Sequence, residues 1–185
     1  NGITLDIQAP VITALKEYGI DDPEFQANDN TLSLYCDAQD NLSGINTYQF
    51  SVGTSPGDSD VVAWESFTPE NSSVIFEELS LDNGAQYFGM VRVSDLAGNI
   101  AQQAGNGITI DITPPEMGTV IDLVDINILD DQSLTNSITT LNAYIYGFSD
   151  SLSGVDYYEY AVGTAGLLTD VKDWSFSPQD TLIVD

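Results

Sequence analysis

The feature that most constrains the fold of this chain is an internal repeat. Asn41-Leu42-Ser43-Gly44-Ile45 recurs as Ser151-Leu152-Ser153-Gly154-Val155, and Tyr48-Gln49-Phe50-Ser51-Val52-Gly53-Thr54 as Tyr158-Glu159-Tyr160-Ala161-Val162-Gly163-Thr164. Asp60-Val61 and Trp64 return as Asp170-Val171 and Trp174, so all three matches share an offset of 110 residues. A further match, Gly2-Ile3-Thr4-Leu5-Asp6-Ile7 with Pro10 against Gly107-Ile108-Thr109-Ile110-Asp111-Ile112 with Pro115, has an offset of 105. The difference falls between Pro115 and Leu152 and gives the second copy a longer early loop. Residues 1–7 are therefore expected to be the last strand of a preceding repeat, 8–112 a complete repeat, and 113–185 an incomplete one. The chain reads as a segment of a longer array. Strands that complete the second copy are expected from a continuing polypeptide or from another chain, and Gly2 to Ile7 has the sequence of the last of them.

Within the repeat, apolar residues alternate at period two, the spacing of strands that bury one face. Leu32, Leu34 and Cys36 share a face, as do Tyr48, Phe50 and Val52, and then Tyr87, Gly89, Val91 and Val93. Turn-forming clusters separate the runs at Asp40 to Gly44, Ser55-Pro56-Gly57-Asp58, Asp82-Asn83-Gly84 and Ala97-Gly98-Asn99. No helical periodicity competes. Short strands with frequent turns over about 105 residues predict an all-β sandwich. Its core is expected to hold Leu34, Cys36, Tyr48, Phe50, Val52, Tyr87, Val91 and Val93.

The run Leu79-x-Leu81-x-x-Gly84-x-x-Tyr87, followed by Val91-Arg92-Val93-Ser94-Asp95-Leu96-Ala97-Gly98-Asn99, resembles the second half of bacterial fibronectin type III-like domains. The Ser-Gly-Ile, Tyr-x-Phe-x-Val-Gly-Thr and Asp-Val-Val-x-Trp elements resemble the first half. The resemblance covers nearly the whole chain. It implies tandem, Ig-like, seven-stranded β-sandwiches of the kind common in large secreted or cell-surface proteins of Bacteroidetes-type bacteria, adhesins and enzymes alike. One departure concerns the second strand, where the family often has Trp and this chain has Cys36 and Tyr146. Trp64 and Trp174 are then expected to plug the cores.

Charge and composition exclude several functions. Asp and Glu number 29 against 3 Lys and Arg, a formal net charge of −26 in 185 residues, which disfavours nucleic acid and anionic membrane surfaces as partners. With 42% hydrophobic residues the chain can still bury a core, unlike a disordered acidic tail. It has no His and only one Cys, so a Ser-His-Asp triad, a Cys-His pair, a Cys/His zinc site and an internal disulfide are all impossible. No apolar run is long enough to span a membrane as a helix.

Few residues offer chemistry. Asp-rich loops suit calcium, which takes six to eight oxygen ligands, and Asp6 and Asp111 beside the domain junctions are the candidate ligands. The bland alternative is a solvated acidic surface, since no twelve-residue calcium loop is spelled. Paired carboxylates could serve glycosidase chemistry, but with so many acids any separation arises by chance, and no catalysis is expected. Trp64 and Trp174 could stack on sugars, although aromatics repeated in register are more often core. Tyr87 is expected to form a tyrosine corner, and Asp95 and Gly98 a tight turn. Cys36 should be inert. Lys16 near a strand invites an isopeptide bond that nothing in the spacing supports. Asp150-Ser151-Leu152 and Asp180-Thr181-Leu182 fit a bacterial O-glycosylation pattern at Ser151 and Thr181, and Asn41 and Asn71 begin N-glycan sequons. The functional expectation is a spacer or stalk of an extracellular adhesin, with neighbouring repeats as partners and a surface glycan or protein as target. The alternative is a linker or carbohydrate-binding region of a secreted polysaccharide-degrading enzyme.

Overall fold

A computed structural model describes all residues except 1, 20, 126, 138, 179, 180 and 185, with the backbone alone for 181–184. The described residues form strands and no helix, and divide into two units, Asn1–Ile112 and Thr113–Asp185.

The first unit contains β1 (Val11–Glu17), β2 (Phe25–Gln26), β3 (Leu32–Gln39), β4 (Ile45–Gly53), β5 (Val62–Phe67), β6 (Ser73–Phe76), β7 (Gln86–Asp95), β8 (Ile100–Ala104) and β9 (Ile108–Ile110). One sheet has the order β1-β3-β6. The other runs β2-β9-β7-β4-β5, with β8 also paired to β7. Between them lies a single core in which Leu15, Leu32, Leu34, Cys36 and Phe76 meet Tyr48, Phe50, Val52, Tyr87, Val91, Val93, Ile108 and Ile110. All eight residues expected from alternation are in it. A sandwich arises because each strand is apolar on one face only, so the two apolar faces must cover each other. Gly89 is needed at one close approach, since a Cβ there would collide with the Leu34 side chain.

The second unit contains β10 (Thr119–Leu123), β11 (Leu141–Tyr146), β12 (Tyr158–Val162), β13 (Lys172–Ser177) and β14 (Thr181–Val184), in sheets β10-β11-β14 and β12-β13. These follow β1-β3-β6 and β4-β5. Leu15↔Cys36 and Glu17↔Leu34 in the first unit are matched by Val120↔Ile145 and Asp122↔Ala143 in the second. The offset is thus 105 at β10, 109 at β11, 110 at β12 and β13, and 108 at β14. Counterparts of β7, β8 and β9 do not occur among the described residues.

Three expectations need correction. Residues 2–7 form no strand among the described residues, because no sheet edge pairs with them, and Ile3, Leu5 and Ile7 are exposed. The 109 offset at β11 makes Ile145 the counterpart of Cys36 and turns Ile145 inward, while Tyr146 is exposed. Trp64 and Trp174 are not core residues. A bulge sets two residues of β5 (Ala63 and Trp64) against one of β4 (Ser51), which places Trp64 on the outer face with Ser66. β13 repeats the bulge between Lys172 and Ser175, and Trp174 is 64% exposed. The first core is filled by Phe50, stacked on Tyr48 and edge-on to Phe67.

Candidate functional site

Two turns and the entering segment converge at one end of the first unit. The Asp40 turn forms because its Oδ1 accepts backbone N–H groups from Leu42 (3.1 Å), Ser43 (2.8 Å) and Gly44 (2.7 Å), an Asx arrangement favoured where a strand must reverse. The Asp95 turn follows the same logic. Asp95 Oδ1 accepts the Asn99 backbone N–H at 2.8 Å, Oδ2 accepts the Asn99 side-chain amide at 2.7 Å, and Gly98 supplies a φ of +95°. Asp6 joins the two. Its Oδ2 accepts the Ser43 N–H at 3.1 Å, its Oδ1 accepts the Gln8 N–H at 3.0 Å, and its carbonyl accepts from the Asn99 side chain at 3.4 Å. A crevice of about 180 Å³ lined by Thr4, Asp6, Leu42, Ser43, Leu96 and Ala97 lies beside this clamp.

Carboxylate oxygens of Asp6, Asp40 and Asp95 lie within 4.8 Å of one another. Hydrogen bonds from Gly44 first, then Leu42 and Ser43, hold the Asp40 carboxyl below its ordinary pKa. Burial works to raise that of Asp95, but hydrogen bonds from Asn99, Gly98 and Ala97 outweigh it and leave it lowered. Both are therefore ionised at neutral pH. Like charges so close repel, and a hard cation relieves the repulsion by using the lone pairs left over on each carboxylate. An all-oxygen donor set fits calcium better than a softer metal.

Of the two expected ligands, the structure brings Asp6 to this cluster and leaves Asp111 out of it. Asp111 is buried at the end of β9, where its N–H donates to the Gln26 carbonyl at 2.9 Å, so the β2–β9 pairing holds it elsewhere. Asp40 was legible only as a turn residue. Its D-x-x-S-G pattern recurs at Asp150, whose Oδ1 accepts from Leu152, Ser153 and Gly154.

The remaining candidates are separate from this end. Tyr87 Oη accepts the Asp82 N–H at 2.9 Å, five residues upstream. Trp64 lies under the Arg92 guanidinium, 4.1 Å from its ring centroid. Burial pushes the Cys36 thiol up to about 12, so it stays protonated and unreactive. Ser151 is exposed in the Asp150 turn, and the Thr181 side chain lies outside the described residues. No protein-family model and no curated protein matches the chain.

Proposed function

We propose that the chain is a non-catalytic spacer: tandem fibronectin III-like, seven-stranded sandwiches in the stalk of a secreted or surface-anchored bacterial adhesin. The observation that carries this reading is the clamp. Asp6 ties the segment entering the first unit to the turns that begin at Asp40 and Asp95, so bending at that junction must break the Asp6–Ser43 bond. A stalk needs stiffness there, whereas a flexible tether does not. Pro10 stiffens the same segment by fixing φ, and the high negative charge keeps neighbouring chains apart. In the first unit three strands (β1, β3, β6) face a sheet built on β5, β4, β7 and β9, to which the short β2 and β8 add, and this two-sheet arrangement suits the resemblance.

Calcium belongs to this proposal as the ion that Asp6, Asp40 and Asp95 would hold, adding stiffness at the junction. The exposed Trp174 favours a second reading, a glycan-stacking module. Against it, the equivalent Trp64 is already covered by Arg92, so the platform is not a property of the repeat. A glycan pull-down with the full chain discriminates. The spacer reading predicts no retention by any polysaccharide, and retention abolished by Trp174→Ala would replace it with the module.

A further inference from the structure

The connector from β1 to β2 crosses from one sheet of the first unit to the other and is anchored at both ends. At its start the Tyr18 N–H donates to the Ser33 carbonyl at 2.8 Å, and at its end the Glu24 carbonyl accepts the Thr109 N–H at 2.9 Å. Along it the backbone enters the left-handed region at Tyr18 (φ +59°), Gly19 (φ +83°) and Asp22 (φ +54°). Asp visits that region more readily than most residues. Asp22, however, precedes Pro23, and a proline ring restricts the residue before it to extended backbone by crowding its N–H and Cβ. A conformation of this kind persists only because its surroundings impose it. One constraint is visible: Asp22 Oδ1 accepts the Glu17 N–H at 3.0 Å, which holds the carboxylate in one orientation. Asp22–Pro23 is also the only Asp–Pro bond in the sequence.

We propose that Asp22–Pro23 is a self-cleavage site, at which the folded chain hydrolyses its own backbone. Oδ2 of Asp22 attacks the main-chain carbonyl carbon of the same residue and closes a five-membered ring. The C–N bond to Pro23 breaks with its electron pair on nitrogen, and that nitrogen takes a proton from mildly acidic solvent. A water molecule then opens the cyclic anhydride to two carboxyl groups. The net change consumes water alone and neither oxidises nor reduces anything. The attack is intramolecular, so no second reactant has to be positioned. The crowding between the proline ring and Asp22 is relieved as the bond to Pro23 lengthens, so the strain held by the fold lowers the barrier.

The cut leaves the sandwich assembled. β1 stays paired to β3 from Val11↔Gln39 to Glu17↔Leu34, and Leu15 stays in the core. Glu17 Oε1 continues to accept the N–H groups of Gly89 at 3.0 Å and Gly107 at 3.3 Å. What changes is the response to force. In a stalk, tension entering through the segment clamped by Asp6 runs along β1 into the Asp22–Pro23 bond. Once that bond is cut, the noncovalent hold on β1 alone resists, and pulling releases everything before Pro23. This consequence rests on the spacer reading, whereas the cleavage does not.

The test incubates the full 185-residue chain in mildly acidic buffer, with and without urea, and follows it by mass spectrometry under denaturing conditions and by native size exclusion. The expected products are residues 1–22 and 23–185, with masses that sum to the intact chain plus water. They should form at least about fivefold faster from the folded chain than from the urea-unfolded one, the factor that the lower end of such backbone strain supplies. Without denaturant they should run as a single particle. Asp22→Asn keeps an acceptor oxygen for the Glu17 N–H and tolerates left-handed backbone, so it should fold and lose the cleavage, whereas Asp21→Asn should retain it. A rate in the folded chain equal to or below that in urea would overturn the proposal, since it would be the ordinary acid lability of an Asp–Pro bond. So would cleavage that persists in Asp22→Asn, or an intact chain throughout. Fragments that separate without denaturant would overturn the retention of β1. None of these results decides whether the chain is a spacer.

Discussion

The Arg92 guanidinium sits 4.1 Å above the centroid of the Trp64 ring, on the outer face of the sheet and across the width of β4. Arg92 also donates from Nε to Gln102 Oε1 at 2.7 Å, which fixes the side chain over the indole. A cation–π contact at such a site contributes about 0.5–1 kcal/mol. Arg92→Ala should lower the stability of the first unit by about that amount, and Arg92→Gln should recover little of it. Chemical denaturation followed by Trp64 fluorescence measures this. An unchanged midpoint would mean that the pair is a geometric coincidence.

Tyr87→Phe tests the loop anchor. The hydroxyl accepts the Asp82 N–H, and its removal leaves that amide without its partner. The expected cost is about 0.5–1.5 kcal/mol, the net contribution of one such hydrogen bond. Faster exchange of the Asp82 amide should accompany it.

Glu17 gives the first unit an unusual pH dependence. Its side chain is fully buried, Oε2 has no hydrogen-bond partner among the described residues, and desolvation raises its pKa above the ordinary 4.5 despite hydrogen bonds from Gly89 and Gly107. The folded state therefore binds this proton more tightly than the unfolded state does. Stability should fall as pH rises from 4.5 through the raised value, then level off. Asp40, Asp60 and Asp95 act in the opposite sense, because their lowered values add stability above the ordinary 3.8 that is lost as pH falls through the folded values. The first unit should be most stable in mild acid. Glu17→Gln keeps an acceptor oxygen and removes the charge, so it should flatten the fall in stability above pH 4.5 in denaturant titrations.

Calcium provides a fourth test. If Asp6, Asp40 and Asp95 hold it, millimolar calcium should raise the melting temperature of the first unit relative to chelator, by preferential binding to the folded state. Asp95→Asn should abolish the increment. Identical melting curves with calcium and with chelator would remove the ion from the account.

Much of the fold was legible in the sequence because it depends on local periodicity. Leu34, Phe50 and Val91 alternate with polar neighbours, and a one-residue slip would expose all of them. The places where the reading failed are those where periodicity breaks. The bulge in β5 turns Trp64 outward, and a bulge leaves no mark in a count of every second residue. The 109 offset at β11, against 110 at β12 and β13, similarly turned Ile145 inward and Tyr146 outward. Of the candidate site, Asp6 was visible from its place beside a junction. Its partnership with Asp40 and Asp95 was not, because the entering segment and two turns distant in sequence converge only after both sheets have formed.

The central claim is that the entering segment is held rigidly on the first unit, as a stalk requires. Backbone 15N relaxation at Asp6, Ile7 and Gln8 measures it most directly. The account predicts order parameters near the rigid-backbone value of about 0.85, falling in the Asp6→Ala variant together with protection of the Ser43 amide. Values below about 0.6 in the unmodified chain would show a flexible tether and contradict the spacer reading.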